Sequence, residues 1–231
     1  MLVYAVIGAL VTALVTSGVS IYAIKNWVPK WPERGYVDIK PSWNRLFSLS
    51  AVVGTVVSLI AGLMTLNLAL GVLFGVIAYV LFFTGVVDYQ VKLAPKELTT
   101  FGIIAAIVLS GIALLTGATY LDETITGNLL NDSLIQIGMW TVMTFLFALV
   151  IAFAAPGGMG WADFKIMWMV GFAFAGFIGF VPVGILFTLG VVIQGLGFIV
   201  ARIKKSGNKT LPLIPALSAT YIIGGLWFLV T

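Results

Sequence analysis

The chain has 231 residues, 61% apolar and only 9% charged, with net charge +4. Soluble domains carry about a quarter charged residues, so this composition excludes one and assigns the chain to the membrane. It contains neither histidine nor cysteine, which removes Ser-His-Asp and Cys-His catalysis, disulfides, thiolate metal sites and imidazole proton shuttling.

A membrane-crossing helix needs about 20 apolar residues. The first such stretch runs from Leu2 to Tyr22 and ends at Lys25; without a basic flank before it, it reads as a retained helix. A polar segment, 25–45, follows with Pro29, Pro32, Pro41 and five Lys/Arg residues. The next 42 residues, Leu46–Val87, are almost continuously apolar, and Thr65-Leu66-Asn67 predicts a break into helices near 46–64 and 68–87. A fourth span is expected at 98–116 and a fifth at 134–155, separated by the polar stretch Tyr120–Ser133. The apolar run 166–201 requires one turn, expected at Pro182 beside Gly184, and an eighth span covers 211–230. The fold class is therefore all-α: one polytopic membrane domain, 1–231, with about eight transmembrane helices. No internal repeat stands out; Gly71 and Gly75 form a small-xxx-small face suited to close helix packing.

All 12 basic residues fall in odd-numbered loops: Lys25, Lys30, Arg34, Lys40 and Arg45, then Lys92 and Lys96, then Lys165, then Arg202, Lys204, Lys205 and Lys209. The opposite side carries Asp122, Glu123 and Asp132, expected as solvated charges of an external loop. The positive-inside rule places the odd loops in the cytoplasm and both termini outside. Nothing in this charge pattern calls for nucleic acid; the expected surroundings are a lipid bilayer, the plasma membrane.

Of the eight acidic residues, Glu33 and Asp38 read as solvated loop charges, and Glu97 as a helix-start residue favoured by the dipole. Asp88 and Asp163 remain. Asp88 ends the run Leu81-Phe82-Phe83-Thr84-Gly85-Val86-Val87, and Asp163 follows the glycine-rich segment at 156–160, so both fall at the expected cytoplasmic boundary. Taken singly, each reads equally as a helix-end residue. Together they offer a chemistry for peptide hydrolysis that this composition still permits. An ionised aspartate accepts a proton from water while a protonated one bonds the carbonyl oxygen; two adjacent carboxylates cannot both ionise easily and share a proton. Neither cofactor nor metal is needed. Lys165 is open to three readings: a snorkelling cation, an interface anchor, or a cation beside Asp163.

The segment Asp88-Tyr89-Gln90-Val91-Lys92-Leu93-Ala94-Pro95-Lys96-Glu97-Leu98-Thr99 resembles the first signature of the type IV prepilin peptidase family, which includes the archaeal preflagellin peptidases, at Asp88, Pro95, Leu98 and Thr99. The family's second signature, Gly-Met-Gly-x-Gly-Asp-x-Lys, is similar to Gly158-Met159-Gly160-Trp161-Ala162-Asp163-Phe164-Lys165, with Ala162 in place of the glycine before the aspartate. A weaker likeness lies at Lys209-Thr210-Leu211-Pro212-Leu213-Ile214-Pro215-Ala216. The resemblance covers 68–231. It implies an intramembrane aspartyl endopeptidase with Asp88 and Asp163 catalytic and Gly158, Gly160, Ala162, Lys165 and Pro95 supporting or near substrate. The implied substrates are prepilin-like membrane proteins of a pilus or archaellum system, cut between a short basic leader and a hydrophobic helix. The family's second activity, N-terminal methylation, accompanies a cysteine-containing segment that the 25–45 loop lacks. Three other readings stand beside this one: a non-catalytic scaffold or inactive relative; a polytopic transporter resting on Asn67, Gln136 and Gln194; and, weaker, a Ser-Lys protease, since the lysines cluster in loops and none lies on a helix interior.

Overall fold

The structure, a computed structural model, describes residues 2–36, 39–40, 42–116, 128–154, 161–203 and 213–229. Among these residues the chain is all-helical. The helices are α1 (Leu2–Asn26), α2 (Trp43–Thr65), α3 (Leu68–Val91), α4 (Lys96–Leu115), α5 (Leu129–Ala154), α6 (Trp161–Ile178), α7 (Phe180–Ile203) and α8 (Ile214–Phe228). The first seven contain stretches long and apolar enough to cross a membrane, and α8 is a shorter apolar helix of 15 residues. A multi-pass membrane protein follows from this.

The helix ends obey local chemistry. The two-residue joint between α2 and α3 turns at Leu66, in the left-handed region (φ 53°), after which the Asn67 side chain accepts the Leu70 N–H at 3.1 Å. Asn67 thus caps α3, as an asparagine before an apolar run should. Lys92 (φ 57°) closes α3 at the other end, its N–H donating to the Asp88 carbonyl at 2.8 Å. Pro95 is buried and stands just before the first turn of α4, where its missing N–H costs nothing.

Two expectations change here. The break in the apolar run 166–201 lies at Gly179 (φ 91°, ψ 160°), not at Pro182. Such a backbone conformation is open to glycine alone, whereas Pro182 fits within the first turn of α7, where no intrahelical N–H partner is lost. Gln136 of α5 accepts the Phe180 N–H at 2.8 Å and so satisfies one of the donors this helix start leaves over. The second change concerns Asp132: α5 begins at Leu129, five residues earlier than the apolar pattern suggests, and Asp132 in its first turn is fully buried rather than solvated. Main-chain N–H groups and the positive end of the helix dipole favour a carboxylate there.

Helix α3 is the axis of the bundle, buried along nearly its whole length and packed against α1, α2, α4 and α8. The α2–α3 seam depends on small residues. A Cβ added to Gly75 would lie 2.6 Å from both the Gly54 carbonyl and the Ser58 Cβ, so the backbones approach as closely as the small-xxx-small face predicts. Polar pairs add glue: Thr12 donates to Ser58 at 2.9 Å, and Ser20 bonds the Tyr79 hydroxyl at 3.0 Å.

Helix α6 contains a π turn, Gly171–Ala175. The Trp140 indole fills the space a Cβ at Gly171 would need, 2.1 Å away, and donates to the Met167 carbonyl at 2.8 Å. Ser110 donates to the Phe172 carbonyl at 2.6 Å. Departures from α geometry persist at membrane depth where neighbouring side chains meet the carbonyls in this way.

One end of the bundle collects the C-terminal ends of α1 and α3 and the starts of α2, α4, α6 and α8. Lys25, Arg45, Lys96, Lys165 and Arg202 lie on helix turns near helix ends rather than in connecting loops, and Lys204, Lys205 and Lys209 lie outside the described residues.

Candidate active site

Asp88 sits in the last turn of α3. Because α3 is surrounded by other helices, the side chain is only 6% exposed despite standing near a helix end. Above it in the same helix, Thr84 turns its hydroxyl back onto the Val80 carbonyl at 2.7 Å, and Gly85 faces Ser218 of α8. The start of α8 reaches the aspartate directly: the Ile214 main-chain N–H is directed at the Asp88 carboxylate. A helix start has four N–H groups without internal partners, and here one of them is used to hold an acid on another helix.

Asp163 is in the first turn of α6 and half-buried. Its carboxylate acts electrostatically on Asp88 across the contact between α6 and α3. The two aspartates, 75 positions apart in sequence, therefore share one end of the bundle and interact as like charges.

Ala162 lies within α6, half-buried and packed against the core cluster. Its backbone is helical, so the alanine meets no demand for φ > 0. Lys165 donates to the Thr100 hydroxyl at 3.0 Å, tying the start of α6 to α4; of the three sequence readings, this contact fits the interface anchor. Gly158 and Gly160 lie outside the described residues. Pro95 is buried at the corner between the aspartate-bearing end of α3 and the start of α4.

Thr100 also borders an apolar groove of about 630 Å³ between α1 and α4, lined by Gly18, Tyr22, Trp27, Lys96 and Phe101 among others. The groove thus reaches the side of α4 that Lys165 holds. Among the described residues no group of three or more His, Cys, Asp or Glu is arranged to hold a metal ion.

Two contributors escaped sequence reasoning. Ile214 acts through its main chain, and the only signal was the weak likeness at 209–216 together with Pro215 in a first helical turn. Tyr36 belongs to the 25–45 loop; it donates to the Ala94 carbonyl at 3.0 Å and lies within the electrostatic reach of Asp88. Of the amides on which a transporter reading rests, Asn67 and Gln136 are engaged at helix starts. In comparisons with known proteins, no family model, no curated protein and no solved structure matches this chain.

Proposed function

We propose that this protein is an intramembrane aspartyl endopeptidase that removes the short basic leader of prepilin-like proteins at the cytoplasmic face of the plasma membrane. The observation that carries the reading is that Asp88 and Asp163, on two helices that touch, lie within electrostatic reach of one another at the basic end of the bundle. The positive-inside rule assigns that end to the cytoplasm, with both termini outside.

In this mechanism the pair holds one proton. The ionised aspartate takes a proton from water as its oxygen bonds the scissile carbonyl carbon. The protonated partner hydrogen-bonds the carbonyl oxygen, so charge does not build up there alone. The partner's proton passes to that oxygen, giving a tetrahedral diol, which then collapses as one of its hydroxyls returns a proton to the pair. The C–N bond breaks, the leaving nitrogen receives a proton from the pair, and the pair is left with one proton for the next cycle. The Ile214 N–H orients Asp88 through these steps, and Lys165 keeps the start of α6 against α4.

The test is cleavage of a prepilin-type substrate by purified Asp88→Asn, Asp163→Asn and double variants, each verified as folded. Each single variant is expected to lose cleavage nearly as completely as the double variant, because the groups act as a unit. Substantial cleavage by the Asp163→Asn protein removes the mechanism.

A further inference from the structure

The segment between α1 and α2 is fastened to the corner where α3 meets α4. Two short 3-10 turns, Val28–Lys30 and Pro32–Arg34, flank Trp31, which is fully buried among Trp43, Phe47 and Phe83 with ring centroids 4.7, 6.2 and 6.1 Å away. Phe83 lies five positions before Asp88 on α3. At Gly35 (φ 89°) the chain reverses, and the Tyr36 N–H returns to the Trp31 carbonyl at 3.1 Å. The Tyr36 ring packs on Trp31 (5.7 Å), leaving the side chain 7% exposed, and its hydroxyl donates to the Ala94 carbonyl at 3.0 Å. Ala94 immediately precedes Pro95, outside both helices, so no helical N–H serves its carbonyl.

Two more contacts flank this one. The Gln90 amide donates to the Lys40 carbonyl at 2.5 Å and accepts the Lys40 N–H at 2.7 Å. Arg34 pairs with Glu97. Residues 90, 94 and 97 thus bracket the corner that begins two positions after Asp88. The contacts are not equal. Arg34 is 39% exposed in its ion pair, and exposed pairs contribute ~0–1 kcal/mol, whereas the Tyr36 bond is buried against the aromatic cluster. Burial, with the Glu97 carboxylate next, pushes the Tyr36 phenol above its ordinary range, although Arg34 pulls the other way. The hydroxyl therefore remains a donor throughout the neutral range.

We propose that Tyr36 is a positioning residue for the aspartate pair: its hydroxyl, bonded to the Ala94 carbonyl, locks the α3–α4 corner and so holds Asp88 in place against α6. The cleavage consequences rest on the peptidase reading; the geometric claim does not. Misplacing a reacting group by about 1 Å costs up to ~100-fold in rate, which sets the scale for losing one bond of this corner.

Tyr36→Phe removes the hydroxyl and keeps the ring, so the aromatic cluster survives. Its kcat for leader cleavage should fall by about tenfold or more with KM within about twofold and the melting temperature in detergent nearly unchanged. A wild-type kcat, or a loss matched by a comparable fall in melting temperature, overturns the proposal. A second arm needs no peptidase activity. Since the chain has no cysteine, an Asp88→Cys/Asp163→Cys protein can be bridged by a short bifunctional thiol reagent. Adding Tyr36→Phe should slow bridging severalfold, and Arg34→Ala should do so less. Equal bridging rates with and without Tyr36→Phe refute the positioning role. Cleavage that survives Asp88→Asn refutes the peptidase reading and leaves this second arm standing.

Discussion

On the proposed peptidase reading, replacing Ala162 with glycine distinguishes an active enzyme from an impaired one, because residue 162 is where segment 158–165 departs from the signature it resembles. The residue is the second of α6 and helical, so a glycine there gains no conformation that alanine lacks. It loses two things. Helix propensity disfavours glycine by about 1 kcal/mol in a helix interior, and by less in a first turn. The methyl group is half-buried, which adds roughly half of the ~0.8 kcal/mol that a fully buried carbon contributes. The sum is about 1 kcal/mol against the glycine variant, or roughly fivefold in an equilibrium that it governs fully. The start of α6 carries Asp163, so Ala162→Gly should leave initial cleavage equal to the wild type or reduced by up to about fivefold. The assay is the initial rate on one prepilin-type substrate at equal folded amounts, beside a thermal melt of both proteins. A hundredfold gain would require about 2.7 kcal/mol in the opposite direction. Such a gain would refute the helical argument and show that the alanine obstructs the meeting of the two aspartates.

Two further perturbations address the fold. Gly179→Ala should destabilise the protein by about 1–3 kcal/mol, since φ 91° and ψ 160° exclude a Cβ, while Pro182→Ala should change stability by less than about 1 kcal/mol; denaturation in detergent measures both, and the reverse order would return the turn to the proline. Single cysteines report the orientation: Asn131→Cys should react with an impermeant thiol reagent in intact cells and Lys30→Cys should not. Outside labelling at position 30 would invert the assigned topology.

The spans were legible because apolar runs of membrane length have few other uses, and the α2–α3 break because Thr65 and Asn67 are the polar interruption within one. The second break was misplaced for a physical reason. Proline is the louder breaker in sequence, yet it is tolerated in a first helical turn, while a lone glycine among many gives no sign that its φ is positive. The π turn of α6 had no sequence signal at all, since it depends on an indole from α5 lying against Gly171. Asp132 looked solvated because polar neighbours surround it in sequence, and only the early start of α5 buries it. Asp88 and Asp163 could be placed at one membrane boundary from hydropathy and charge. Their electrostatic contact, and the contacts of Ile214 and Tyr36 beside them, required helices whose mutual packing no local pattern encodes.

The dependence of Asp88 on Ile214 also bears on how the molecule is made. Helix α3 is synthesised early, yet the donor directed at its aspartate belongs to α8, the latest of the described helices to emerge. A nascent chain that has inserted α1 to α7 holds this carboxylate beside an unfilled seam, where lipid or water replaces α8. The donor reaches the carboxylate only once residues 214–228 have docked against α3. On the peptidase reading, competence depends on the docking of α8 and not on the insertion of the helix that carries Asp88 alone.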